Sequence, residues 1–216
     1  QSASWVSSLA DVRLHSDNVD QPSTSVTAMK EGLPPTSIKT DVRGETESVG
    51  SDLPFPSWWS GECDTDNYYA ATGIHAYPLG AEFRGMKACG PRPYADSAPV
   101  AAVNFGAGVS QLEWQCPELS KRFLYLAYGI APYKADGSEV VSKCPDASLE
   151  KVGNCTSGRA PEPNDVLSYG ETSSSGHTSV VVASDVDSTG NGTITVIEQN
   201  NSSNGYNSIA VTDWCV

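Results

Sequence analysis

Residues 114–124 read Trp-Gln-Cys-Pro-Glu-Leu-Ser-Lys-Arg-Phe-Leu, and residues 125–129 continue Tyr-Leu-Ala-Tyr-Gly. Leu119, Phe123, Leu126 and Ala127 recur at the spacing of one helical face. Pro117 suits a first helical position, where a missing N–H costs nothing, and Gly129 suits a stop. The spacing therefore predicts a helix from Pro117 to Tyr128. Cys116 is then expected as its N-cap, where unpaired backbone N–H groups and the positive end of the helix dipole converge.

Downstream the period changes. Strands are expected over Asp165 to Tyr169, His177 to Ala183 and Thr193 to Gln199, with a fourth over Ser208 to Thr212. The turn Ser184-Asp-Val-Asp-Ser-Thr-Gly-Asn-Gly192 carries an Asn-Gly hairpin signal, so the second and third strands should be antiparallel neighbours. One helix followed by such strands describes an α+β fold.

A thiol becomes a good nucleophile when its thiolate is stabilised, and a helix N-terminus beside an imidazolium supplies that stabilisation. His177 is one of only three histidines and begins an alternating strand whose other inward candidates are Ser179, Val181 and Ala183. If the hairpin closes symmetrically, Ser179 lies opposite Glu198 and His177 opposite Asn200, which gives the imidazole a carboxylate and an amide on one face. Cys116, His177, Glu198 and Asn200 are thus the candidate catalytic set. Gln111, Trp114 and Gln115, close to the thiol, are candidate substrate contacts, and the Cys116 N–H with Gln111 or Gln115 is a candidate oxyanion donor.

Trp-Gln-Cys-Pro-Glu-Leu-Ser-Lys-Arg-Phe-Leu at 114–124, Pro-Asn-Asp-Val-Leu-Ser-Tyr at 163–169, Gly-His-Thr-Ser-Val-Val at 176–181 and Val-Ile-Glu-Gln-Asn at 196–200 together resemble the CHAP family of cysteine, histidine-dependent amidohydrolases/peptidases. The resemblance covers about residues 103–216. It implies a papain-like (NlpC/P60-CHAP type) fold, with the nucleophile at a helix N-terminus packed on an antiparallel sheet. It assigns Cys116 as nucleophile, His177 as base, and Glu198 and Asn200 as the acid and amide behind it. It also implies bacterial peptidoglycan as substrate, cut as a muramoyl-L-alanine amidase or as a stem or cross-bridge peptidase; some members instead cleave glutathionylspermidine. No cofactor or metal is expected, since only Glu113 precedes the cysteine where some phage members carry calcium-binding acids.

The rest of the chain is read more coarsely. Residues 1–52 lack apolar periodicity and read as an extended arm that Trp5, Val6, Leu9, Val12 and Leu14 could anchor. Residues 53–100 read as a disulfide-containing aromatic loop region with few regular elements, in which Trp58 and Trp59 are candidate glycan contacts. Residues 101–216 form the expected catalytic domain. Six cysteines and the Asn-X-Ser/Thr sequons at Asn154, Asn191, Asn200 and Asn201 point to a secreted, extracellular protein, with Asn154 and Asn191 as glycosylation candidates. With Cys116 reserved for chemistry, proximity suggests the pairs Cys63–Cys89 and Cys144–Cys155, leaving Cys215. A Cys116–Cys215 bridge would instead make a non-catalytic cell-wall glycan-binding module. The net charge of −13 excludes a phosphate-binding surface, hence a nucleic-acid partner. No apolar run is long enough to span a membrane, and a monomer is expected.

Overall fold

The computed structural model describes residues 2–8, 63, 76–98, 101–106, 109–170 and 175–216. Strand β1 (Ser2–Ser8) is followed by a hairpin, β2 (Tyr77–Phe83) with β3 (Met86–Gly90), and a single-turn helix α1 (Pro93–Asp96). A second hairpin, β4 (Ala101–Gly106) with β5 (Val109–Glu113), leads into α2 (Cys116–Tyr128). A 3-10 turn (Gly137–Glu139) and five strands complete the order: β6 (Leu149–Gly153), β7 (Val166–Gly170), β8 (His177–Val186), β9 (Gly192–Ile197) and β10 (Tyr206–Val211). Six strands form one antiparallel sheet in the order β10-β9-β8-β7-β1-β6. The start of the expected arm is thus a strand inside that sheet, and the aromatic loop region contains the β2–β3 hairpin, more regular than its composition suggests.

Helix α2 starts one residue earlier than its pattern predicts. Gln115 is the N-cap, so Cys116 and Pro117 occupy the first two helical positions, and proline is tolerated at either because the first-turn N–H groups have no partner inside the helix. Gly129 closes the helix in the left-handed conformation (φ 69°), its N–H donating to the Tyr125 carbonyl while the Ile130 N–H donates to that of Leu124.

The apolar stripe Leu119, Phe123 and Leu126 packs with Val166, Val180, Val182 and Ile197 of the sheet and with Ala81, Met86 and Ala88 of the β2–β3 hairpin. The helix therefore runs through the core, and Glu118, Ser120, Lys121 and Arg122 are buried as well. Burial of such groups is tolerable only with partners. The Ser120 hydroxyl is 2.9 Å from that of Thr178, which donates to the Leu167 carbonyl. Lys121 Nζ donates to the Ala135 carbonyl at 3.1 Å. A smaller cluster of Val152, Leu167, Val181, Ile194, Val196 and Val211 forms a second core.

Two disulfides are present, Cys63–Cys89 and Cys155–Cys215, while Cys116 and Cys144 are buried free thiols. The expected Cys144–Cys155 pair is corrected. Cys144 is drawn into the main core, whereas Cys155, just past β6, meets the C-terminal turn, where Asn154 exchanges two hydrogen bonds with the backbone of Val216. Because Cys215 is bonded to Cys155, the Cys116–Cys215 bridge of the binding-module alternative does not form.

Candidate active site

Strand pairing places the histidine. Tyr169 lies opposite His177 across β7–β8, and Val180 opposite Ile197 across β8–β9. One further step of the second pairing brings Ser179 opposite Glu198, with His177 diagonal to it. His177 Nε2 and Glu198 Oε2 are 2.8 Å apart. Nε2 is committed to Glu198, and the Cys116 thiol acts on the same imidazole, raising its basicity. The structure thus sets both Cys116 and Glu198 against the His177 imidazole.

Burial alone would lower the basicity of His177. Interactions with Cys116 and with the accepting Glu198 carboxylate, through hydrogen bonding and charge, outweigh it and raise the imidazole from its ordinary 6.5 to about 10. Burial pushes the other way on Glu198, but its bonds to His177 and Ser202 win and hold the carboxyl below its ordinary value. Through neutral pH the pair is an imidazolium and a carboxylate. Stacking of Tyr169 on the imidazole, with centroids 6.0 Å apart and planes 19° apart, limits its rotation, and the Tyr169 hydroxyl is in turn 3.0 Å from that of Ser179.

Asn200 sits elsewhere than its register predicts. It follows the end of β9 with φ 64°, and its side chain donates to Gln115 Oε1 at 2.6 Å while accepting from the Tyr94 N–H at 2.5 Å. The amide that reaches Glu198 is that of Asn201, donating to Oε1 at 2.8 Å, joined there by the Ser202 N–H at 3.2 Å. Neither Asn201, Ser202 nor Tyr169 stands out in the sequence. Only Tyr169 could have been found, by counting the β7–β8 register.

Of the other expected contacts, Gln115 is the N-cap beside Cys116, and Trp114 is fully buried with the Arg122 guanidinium 5.9 Å from its ring centroid, a core position rather than a substrate-facing one. Gln111 lies on β5. Trp58 and Trp59 fall outside the described residues. Asn154 is tied to Val216, and Asn191 is exposed at the β8–β9 turn with its amide donating to Thr189.

Behind the thiol lies a buried polar network. The Arg122 guanidinium and Glu118 carboxylate pair through two bonds of 2.8 and 3.1 Å with neither side chain exposed. Gln199 joins them, accepting from Arg122 and from the Cys89 N–H and donating to Glu118 and the Gln115 carbonyl. Glu113 is fully buried next to this network with neither carboxyl oxygen hydrogen-bonded. Burial, reinforced by the charge of Glu118 and only partly offset by Arg122, raises it to about 9, so it is neutral at pH 7.

The turn at 135–139 wedges between helix and histidine. Lys121 on α2 binds Ala135, and a Cβ on Gly137 would stand 2.8–2.9 Å from the backbone N, Cα and C of His177. Since the obstructing atoms are backbone, Gly137→Ala must move the turn or the histidine. A shift near 1 Å in a catalytic group costs on the order of 10²-fold. Gly137→Ala is accordingly expected to lose about that factor in turnover, with circular dichroism and thiol count unchanged.

Residues 107–200 match the family model of the CHAP domain. No curated protein and no solved structure matches the chain. CHAP domains are hydrolases of amidase and peptidase type that often act on peptidoglycan, and the family implies a papain-like fold. The helix and antiparallel sheet described above are of the α+β class it calls for. Two disulfides accord with an extracellular setting, and no helix among the described residues is long and apolar enough to cross a membrane.

Proposed function

We propose that this chain is a secreted cysteine amidase or endopeptidase that hydrolyses an amide bond of bacterial peptidoglycan. One observation carries the reading: a free thiol at the start of α2 raises the basicity of an imidazole whose Nε2 is held by a buried carboxylate. In this reading His177 takes the Cys116 proton, and the thiolate adds to the scissile carbonyl. The imidazolium then protonates the departing amine as the C–N bond breaks, leaving a thioester. Water, deprotonated by the now neutral imidazole, hydrolyses the thioester and returns thiol and acid.

The developing oxyanion would meet the Cys116 N–H, which lies in the first turn of α2 and has no partner inside the helix. Gln115 is a second donor. Its Oε1 is occupied by Asn200, which fixes the amide so that Nε2 is the end left to donate. Asn200 is on this account a positioning residue for the oxyanion hole rather than a partner of the imidazole.

Glu198→Gln keeps a hydrogen-bonding group but removes the charge that stabilises the imidazolium. Turnover is expected to fall on the order of 10²-fold, the lower end of general acid–base contributions. The stability deficit of this variant should depend on pH. The raised His177 contributes stability fully below its ordinary 6.5 and loses it as pH rises through about 10; the lowered Glu198 contributes above its ordinary 4.5 and loses it as pH falls. The difference in melting temperature from the wild type should therefore be largest between those two ordinary values and narrow toward pH 10.

The test of the reading itself is digestion of purified peptidoglycan, with mass analysis of the released fragments. New amine and carboxyl ends formed by the wild type and absent with Cys116→Ala support it. Fragments without hydrolysed amides, or equal release by both proteins, exclude it.

A further inference from the structure

Lys121 on α2 is 1% exposed, whereas lysine normally stays in water. Its Nζ donates to the Ala135 carbonyl at 3.1 Å and stands 5.8 Å from the centroid of the Tyr133 ring. Burial lowers the amino group from its ordinary 10.5 to about 8, against the opposing charges of Asp136, Cys116, Glu118 and Glu139. At neutral pH it is still an ammonium. A lysine lowered in this way costs stability, in full below about 8 and not at all above 10.5, where folded and unfolded chains are equally deprotonated. An apolar residue of the same length would fill the position without that cost. Packing alone gives no account of a lysine here.

The turn that Lys121 holds supplies one. Ala135 opens the segment 135–139, which the capping box of Asp136 and Glu139 makes stiff. The Ser138 N–H donates to the Ser175 carbonyl at 3.0 Å, and the Val141 N–H to the Ser168 hydroxyl at 3.1 Å, so the segment grips both the entry to β8 and strand β7. The fit is close. A Cβ added to Gly176 would stand 2.6 Å from Ser138 Cβ, just as one on Gly137 would meet the His177 backbone. A chain of contacts thus runs from Cys116 along α2 to Lys121, across to Ala135, and through Gly137 to His177.

We infer that Lys121 is a positioning residue of the active site: its ammonium fastens the turn that backs His177 to the helix that begins at Cys116, and so sets the reach between thiol and base. The inference rests on the cysteine–histidine reading above and adds to it a group outside the reacting set. Lys121 acts through the turn, not on the substrate. Apolar packing of α2 on the sheet is non-directional, whereas a charge-assisted hydrogen bond fixes both distance and direction.

The experiment uses the full chain carrying Lys121→Met, which keeps the length of the side chain but removes the donor and the charge. Turnover on soluble peptidoglycan fragments should fall about 10²-fold with KM unchanged, the scale of a misplacement near 1 Å. The melting temperature should change little, since the lost bond to Ala135 is offset by the lost cost of burying an ammonium. Lys121→Met combined with Gly137→Ala should be no slower than about 10²-fold below wild type, because both act through one turn. Unchanged turnover, a loss carried by KM, a variant that unfolds or melts far below wild type, or losses that multiply in the double variant each overturn the inference. Should wild type hydrolyse nothing, the hydrolase reading fails separately, and the brace is read from alkylation of Cys116 by iodoacetamide at about pH 6, mapped apart from Cys144. Lys121→Met should slow that reaction about tenfold, a mid-range coupling between neighbouring groups, and Gly137→Ala should add nothing further. An unchanged rate, or two slowings that multiply, overturns it.

Discussion

Cys116→Ser is expected to abolish hydrolysis, with a loss on the order of 10⁴-fold or more, because a serine hydroxyl is far less acidic and less nucleophilic than a thiol. The substitution is nearly isosteric at a buried site, so fold and melting temperature should change little. His177→Ala should cost a comparable factor. Since the two groups act as one unit, the double variant should be no worse than either single one, and this non-additivity separates a shared chemical step from two independent packing defects. Clearing of a peptidoglycan suspension, read beside circular dichroism, supplies the measurement. Wall lysis retained by either purified variant would falsify the mechanism.

The largest stability effect is expected at Arg122. Arg122→Met would leave Glu118 buried without its counter-charge next to Glu113, which already lacks partners. Removing one member of a buried, hydrogen-bonded pair typically costs about 3–5 kcal/mol. Gln199 would also lose a donor, and with it part of the tie between the Cys89 backbone, Gln115 and the helix. Urea unfolding should show the midpoint falling steeply. Glu118→Gln placed on top of Arg122→Met should recover part of the loss, since it removes the orphaned charge. If instead the double variant is less stable than the single, the deficit comes from lost volume rather than from electrostatics.

How far the sequence foretold these features depends on the range of the interaction involved. Pro117 and Gly129 act through local backbone chemistry, so the ends of α2 were legible to within one residue. The pairing of β8 with β9 is in the expected register at its site end, where Val180 faces Ile197, although the bulge between Val181 and Ala183 offsets it by one residue from the pairs nearer the turn. Counting fails where the strand ends. After Ile197 the positive φ at Asn200 turns the chain, so Asn200 faces Gln115 and Asn201 serves Glu198. The partner of Cys155 depended on where the C-terminus returns, which proximity in sequence does not encode. The burial of Glu113, Lys121 and Arg122 was hidden for a related reason: an amphipathic pattern describes a helix on a surface, whereas α2 is covered on its polar side too.

Strand β1 lies between β7 and β6, and through it alone β6 joins the sheet. Residues 107–200, excised as a fragment, would therefore contain β6 with no strand to pair with, and would bare the edge of β7 where β1 belongs and that of β9 where β10 belongs. Unpaired edges of this kind recruit other chains, so such a fragment should aggregate rather than fold. In the intact chain the first strand must wait for residues 149–170 before it has either neighbour, a non-local closure of the kind that slows folding. Until then, early intermediates have the same gap in the middle of the sheet, and a short peptide of the sequence Ser2–Ser8 supplied in trans is the natural competitor for it.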